Sequence, residues 1–182
     1  MTSSDRTALP SDAIAKATSR VGSCVEGELE HKGARFAVVC AKFNGGITAR
    51  LLEGVLSAFS SRGVEASRVS VAWVPGAFEV PLAALRFASS GEAEAVLALG
   101  AVIRGETPHF DFVAGECASG CQRVALSTGV PIVFGVLTTD DVDQALARSG
   151  PGPDNHGYQA ALTALEMCDL LAKLPASPVP VV

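Results

Sequence analysis

Two hydrophobic rhythms take turns along most of this chain. Short solid apolar runs are followed by longer stretches in which apolar residues recur every three or four positions. Arg35–Ala41, Val69–Val74, Ala95–Ile103 and Pro131–Leu137 are runs of the first kind, as expected of strands buried on both faces. Ile47–Arg62 carries Leu51, Leu52, Val55, Leu56 and Phe59 at helical spacing, with Gly63 as a stop. Further helices are predicted from about Phe78 to Ser89, over Pro108–Thr128 before Gly129, over Val142–Arg148, and over Asn155–Leu174. Gly150-Pro151-Gly152-Pro153 separates the last two, because that sequence cannot continue a helix.

Both ends fall outside this pattern. Residues 1–21 are polar and aperiodic and read as a flexible arm, and residues 175–182, with Pro175, Pro178 and Pro180, read as a disordered tail. Residues 22–174 then form one domain, with no internal repeat. Strands alternating with helices predict an α/β fold: a three-layer α/β/α sandwich around a flavodoxin-like four-stranded parallel sheet. Such sheets bind ligands beyond the carboxyl ends of their strands, so four strand ends hold the search for function.

Composition narrows the function classes. With 48% hydrophobic and 18% charged residues, the 182-residue chain has a globular balance and enough length for a sizeable core. Its net charge of −5 leaves no electrostatic footprint for nucleic acid, so an anionic ligand needs local donors. No apolar run is long enough to span a bilayer, so no membrane partner is expected. The first twenty residues contain Asp5 and Asp12 and no apolar core, which argues against a secretory signal. A cytoplasmic location is expected, although the Ser, Thr and Arg content there is also compatible with organellar import. Cys24, Cys40, Cys117, Cys121 and Cys168 match no zinc or disulfide framework and read as reduced packing residues.

The first strand end reads Lys42-Phe43-Asn44-Gly45-Gly46-Ile47-Thr48, where Phe43 is set either to stack on a planar ligand or to cover the helix start. The second, Val74-Pro75-Gly76-Ala77-Phe78-Glu79, combines a turn signal with a carboxylate that either favours the following helix start or accepts hydrogen bonds from a polyol. The third, Arg104-Gly105-Glu106-Thr107-Pro108-His109, is the richest. Thr107 is a suitable N-cap and Pro108 a suitable first helical residue, and amides at such a place bind anions such as phosphate. His109 stands in the same first turn, where an imidazole can relay protons near pH 7. Thr138 to Asp141 at the fourth end supply helix caps. Arg148, further on, either complements a helix terminus or grips phosphate in a planar fork. Phosphate-loop, dinucleotide-turn, nucleophile-elbow and metal-paired histidine motifs are all absent.

The ordered segments Val74–Glu79 and Ile103-Arg104-Gly105-Glu106-Thr107-Pro108-His109-Phe110-Asp111 resemble the two signature segments of the lumazine synthase family. Phe43-Asn44 with Ile47-Thr48, Val130–Thr139, Gln144-Ala145-Leu146 with Arg148, and Asn155 with Gly157 extend the resemblance over roughly residues 22–174. The resemblance implies a transferase of riboflavin biosynthesis. It would condense 5-amino-6-(ribitylamino)uracil with 3,4-dihydroxy-2-butanone 4-phosphate to 6,7-dimethyl-8-ribityllumazine, phosphate and water, and hand the product on to riboflavin synthase. No metal or organic cofactor is implied.

Carried over by residue, Phe43 would stack on the pyrimidine, and Ala77, Phe78 and Glu79 would hold the ribityl-bearing substrate. Ala101, Val102 and Ile103 would line the ring pocket, Gly105, Glu106 and Thr107 would present amides to phosphate, and Arg148 would clamp it. His109 would move protons, and Phe134 would arrive from a neighbouring subunit, because the family builds its sites within homopentamers. Some members assemble further into icosahedral shells of sixty subunits. This chain departs from the pattern at Gly152 and His156, where many members carry lysine, so phosphate would depend more on Arg148 and backbone amides. Two other readings compete: a non-catalytic flavin- or lumazine-binding protein, and a shell-forming protein of the same fold.

Overall fold

A computed structural model describes residues 11–30 and 33–175 of the chain. Four strands, β1 (Phe36–Ala41), β2 (Val69–Val74), β3 (Ala95–Ile103) and β4 (Ile132–Thr139), form one all-parallel sheet in the order β2-β1-β3-β4. Among the described residues six α-helices accompany them: α1 (Ser11–Ala17), α2 (Gly45–Ser61), α3 (Val80–Ser90), α4 (His109–Thr128), α5 (Val142–Arg148) and α6 (His156–Lys173). Every side chain of β1 is buried, as are all of β3 but Ile103, which explains their solid apolar runs. Period-two alternation splits the core between the faces. Phe36, Val38 and Cys40 pack with α2 and α6, whereas Ala37, Val39 and Ala41 pack with α3 and α4. The result is the expected flavodoxin-like three-layer sandwich.

A short helix lies within the segment read as an arm. Within residues 1–21, α1 occupies Ser11–Ala17, with Asp12 in its first turn and Lys16 in its last. Those charges suit the helix dipole, and alanines supply propensity, but seven residues are too few to show a period. Residues 1–10 of the arm and 176–182 of the tail lie outside the described residues. Among the described residues, no helix is long and apolar enough to cross a membrane.

The cysteines contribute packing. Cys40, Cys117 and Cys121 are buried, and desolvation pushes the Cys40 thiol up to about 12, well above the range in which a thiolate forms at neutral pH.

One close contact sets how α2 and α6 lie together. Asn155 caps α6 by accepting from the amides of Gly157 at 2.7 Å and Tyr158 at 3.3 Å, and it donates to the Arg50 carbonyl at 3.0 Å. A Cβ at Gly157 would collide with the Leu51 carbonyl, and one at Gly54 with the Asn155 amide. We expect Gly157→Ala to cost about 3 kcal/mol or more through overpacking, read as a shifted urea midpoint. An unshifted midpoint would show that the crossing relaxes freely.

Candidate active site

The order β2-β1-β3-β4 places a topological switch point between β1 and β3, where a parallel α/β sheet opens a crevice beyond its carboxyl edge. A cavity of about 680 Å³ lies there, a size that suits a small-molecule site.

Asn44 braces its first wall. This residue precedes α2 in a left-handed conformation, φ 55°, and its Nδ2 donates to the Ala101 carbonyl at 2.9 Å, tying the β1 exit to the β3 exit. The tie fixes the strand end from which Phe43 projects, 72% exposed, into the cavity lining. A ring this exposed is largely uncovered by its own chain, so its face is open toward the cavity.

The second wall comes from the turn after β2. Ala77–Glu79 forms a single 3-10 turn ahead of α3, placing Ala77, Phe78 and Glu79 on the cavity. Glu79 makes no side-chain cap hydrogen bond, so capping does not occupy its carboxylate. Ala101, Val102 and Ile103 at the β3 exit form the floor.

The third wall is the segment from Gly105 to Val113. Helix α4 starts at His109, one residue later than the reading with Thr107 as N-cap. Pro108 takes the cap position at φ −62°, ψ −2°, and no side chain caps the helix. Its φ is helical but its ψ near zero is not, so Pro108 stands just outside the regular helix. It leaves the Thr107 hydroxyl uncommitted to the helix, and Gly105, Thr107 and His109 all line the cavity. Pro75 and Gly76 contribute as well, as do Phe110, Phe112 and Val113. Phe112 and Val113 had no place in the sequence reading. Their signal was spacing: counted from His109 they stand at i+3 and i+4, the same helical face.

Three expected residues do not line this cavity. Glu106 is exposed beside it. Arg148, at the end of α5, is exposed and donates to the Gln144 carbonyl at 3.0 Å, the dipole-complementing role. Phe134, on the edge strand β4, pairs with Ala98 of β3 five residues before the β4 end at Thr139, about 16 Å from the carboxyl edge at the usual strand rise. Its ring is 39% exposed. Of the two loop departures, Gly152 sits at φ 99°, where a side chain would be strained, and His156 opens α6.

The brace at Asn44 is testable. Asn44→Ala loses one hydrogen bond and forces alanine left-handed, so a loss of about 2 kcal/mol is expected in chemical denaturation. Asn44→Gly relieves the backbone strain and should lose less; equal losses would mean the left-handed conformation is not what Asn44 supplies.

The comparison with known families agrees with this geometry. The family model for 6,7-dimethyl-8-ribityllumazine synthase matches residues 33–172, spanning all four strands and every wall of the cavity. This chain belongs to the 6,7-dimethyl-8-ribityllumazine synthase family, transferases of riboflavin biosynthesis.

Proposed function

We propose that the chain catalyses the condensation of 5-amino-6-(ribitylamino)uracil with 3,4-dihydroxy-2-butanone 4-phosphate, giving 6,7-dimethyl-8-ribityllumazine, phosphate and water. The observation that carries this reading is the meeting of Phe43, Glu79, Gly105, Thr107 and His109 on one cavity at the switch point. A planar ring, a polyol and a phosphate each find a chemically matched partner there. Phe43 stacks on the pyrimidine, and Ala101 to Ile103 hold its edge by backbone contacts. Glu79 accepts hydrogen bonds from the ribityl hydroxyls, with Ala77 and Phe78 beside it. The amides of Gly105, Glu106 and Thr107 receive the phosphate.

The aromatic amine is already a nucleophile and phosphate already a leaving group, so holding the two substrates in register supplies much of the rate. The amine attacks the ketone carbonyl, one water leaves as the imine forms, phosphate departs by elimination, and the ribityl-bearing amine then closes the ring on the carbonyl this creates, expelling a second water. His109 takes and returns protons through these steps.

Phe134 and Arg148 enter this scheme from a second copy. Both lie off their own chain's cavity, and both are exposed. Exposed apolar groups on the opposite edge of the sheet, Val71 and Trp73 of β2, point the same way, since among the described residues no strand pairs with that edge and an open apolar edge calls for a partner. A closed ring of copies, of which a pentamer is the family's form, satisfies both edges at once.

Mixing the protein with both substrates and following lumazine fluorescence together with phosphate release tests the reaction. Phosphate release at the uncatalysed rate would end the enzyme reading. His109→Ala should slow kcat by up to about 100-fold without abolishing it, because alignment survives; an unchanged rate removes His109 from the mechanism. Arg148→Gln should mainly raise KM for the phosphate substrate, and an unaltered KM would exclude the clamp.

A further inference from the structure

Arg104 stands at the β3 exit, directly before the proposed phosphate cradle, yet it does not line the cavity. Its backbone amide donates to the Thr139 carbonyl at 2.9 Å, continuing the β3–β4 pairing one step past the strand. Its guanidinium then divides between two carboxylates. Nε donates to Asp140 at 3.2 Å and a terminal nitrogen to Asp111 at 3.3 Å, while Cζ lies 4.1 Å from the centre of the Phe110 ring.

Those partners sit on the segments that matter. Asp111 and Phe110 belong to the first turn of α4, with His109. Asp140 precedes Asp141, whose side chain caps α5 by accepting from Gln144 at 2.7 Å, and α5 ends in Arg148. One planar fork thus spans the His109 turn and the start of the Arg148 helix, contacts that a lysine cannot copy.

We propose that Arg104 is a positioning residue for phosphate binding: it holds the His109 turn against the β4–α5 turn and neutralises Asp111 and Asp140 beside the Gly105–Thr107 amides. This rests on the reading of those amides as the phosphate cradle. The side chains of Asp111 and Asp140 are 62% and 73% exposed, so each ion pair adds little to folding stability. What remains is a field effect: two carboxylates released next to an anion site repel the anion.

The test compares Arg104→Gln with the triple variant Arg104→Gln, Asp111→Asn, Asp140→Asn, measuring KM for each substrate, kcat and thermal midpoint. Inorganic phosphate affinity is measured by calorimetry. Arg104→Gln should raise KM for the phosphate substrate about tenfold and weaken inorganic phosphate to match, with KM for the ribityl substrate within about twofold. The thermal midpoint should stay within about 3 °C of wild type. The triple variant should recover most of the lost phosphate affinity. Equal loss for both substrates with a lowered midpoint would mark a merely structural role. An unchanged phosphate affinity, or a triple variant no better than Arg104→Gln, would also overturn the proposal. Wild-type turnover in the same assay tests the underlying reading separately: if the wild type makes no product, that reading fails, and the inorganic phosphate titrations still decide the role of Arg104.

Discussion

The molecule depends on the pairing of β1 with β3 at the centre of the sheet, two strands buried on both faces. Their burial is what forces the sequence to be apolar at nearly every position there, and their parallel course sends both carboxyl ends to one edge. At that edge the chain leaves β1 and β3 in different directions, opening a crevice. The Asn44–Ala101 hydrogen bond bridges the two exits, so the cavity floor and the Phe43 wall are set by one contact. The rest is arranged around this seam. The α2–α6 layer presses on one face through the tight Gly54–Asn155–Gly157 crossing, and α3 with α4 cover the other.

From that frame the division of labour in the site follows. Phe43, Phe78 and Glu79 lie on the β1 and β2 side of the cavity, and Gly105, Thr107, His109, Phe110 and Phe112 on the β3 and α4 side. On the proposed reading, a ring bearing a polyol and a small phosphate ester would dock in separate regions that meet at the switch point. In a chain of net charge −5, an anion would be held there only where local donors outweigh the overall field. With Gly152 held at φ 99°, the loop before α6 is built around a backbone conformation that suits glycine rather than a cationic side chain.

The sheet and its layers were legible because burial on both faces writes itself as solid apolar runs, and because Gly63, Gly91 and Gly129 mark helix ends. Three of the four strand ends searched under the strand-end rule meet on one cavity, and ten of the thirteen residues proposed from the sequence line it. What escaped had physical reasons. Helix α1 is too short to show a period. The one-residue shift of the α4 start depends on the dihedral angles of Pro108, which a preference for Thr as N-cap does not encode. Phe112 and Val113 read as ordinary helix residues until the orientation of α4 was known. Arg104 was visible only as part of a motif, since its partners Asp111 and Asp140 come together through the fold and not through sequence spacing.

On the proposed reading, the cavity of one chain is completed by Phe134 and Arg148 of another. Subunit complementation measures this directly. Two variants, His109→Ala and Arg148→Gln, are dissociated, mixed in equal amounts and reassembled, and phosphate release is followed at limiting phosphate substrate. If each site draws its histidine and its arginine from different copies, about one site in four is restored by random mixing, and the mixture outperforms either variant alone. If the mixture shows only the average of the two variants, both residues serve the same chain's cavity, and the composite site is wrong.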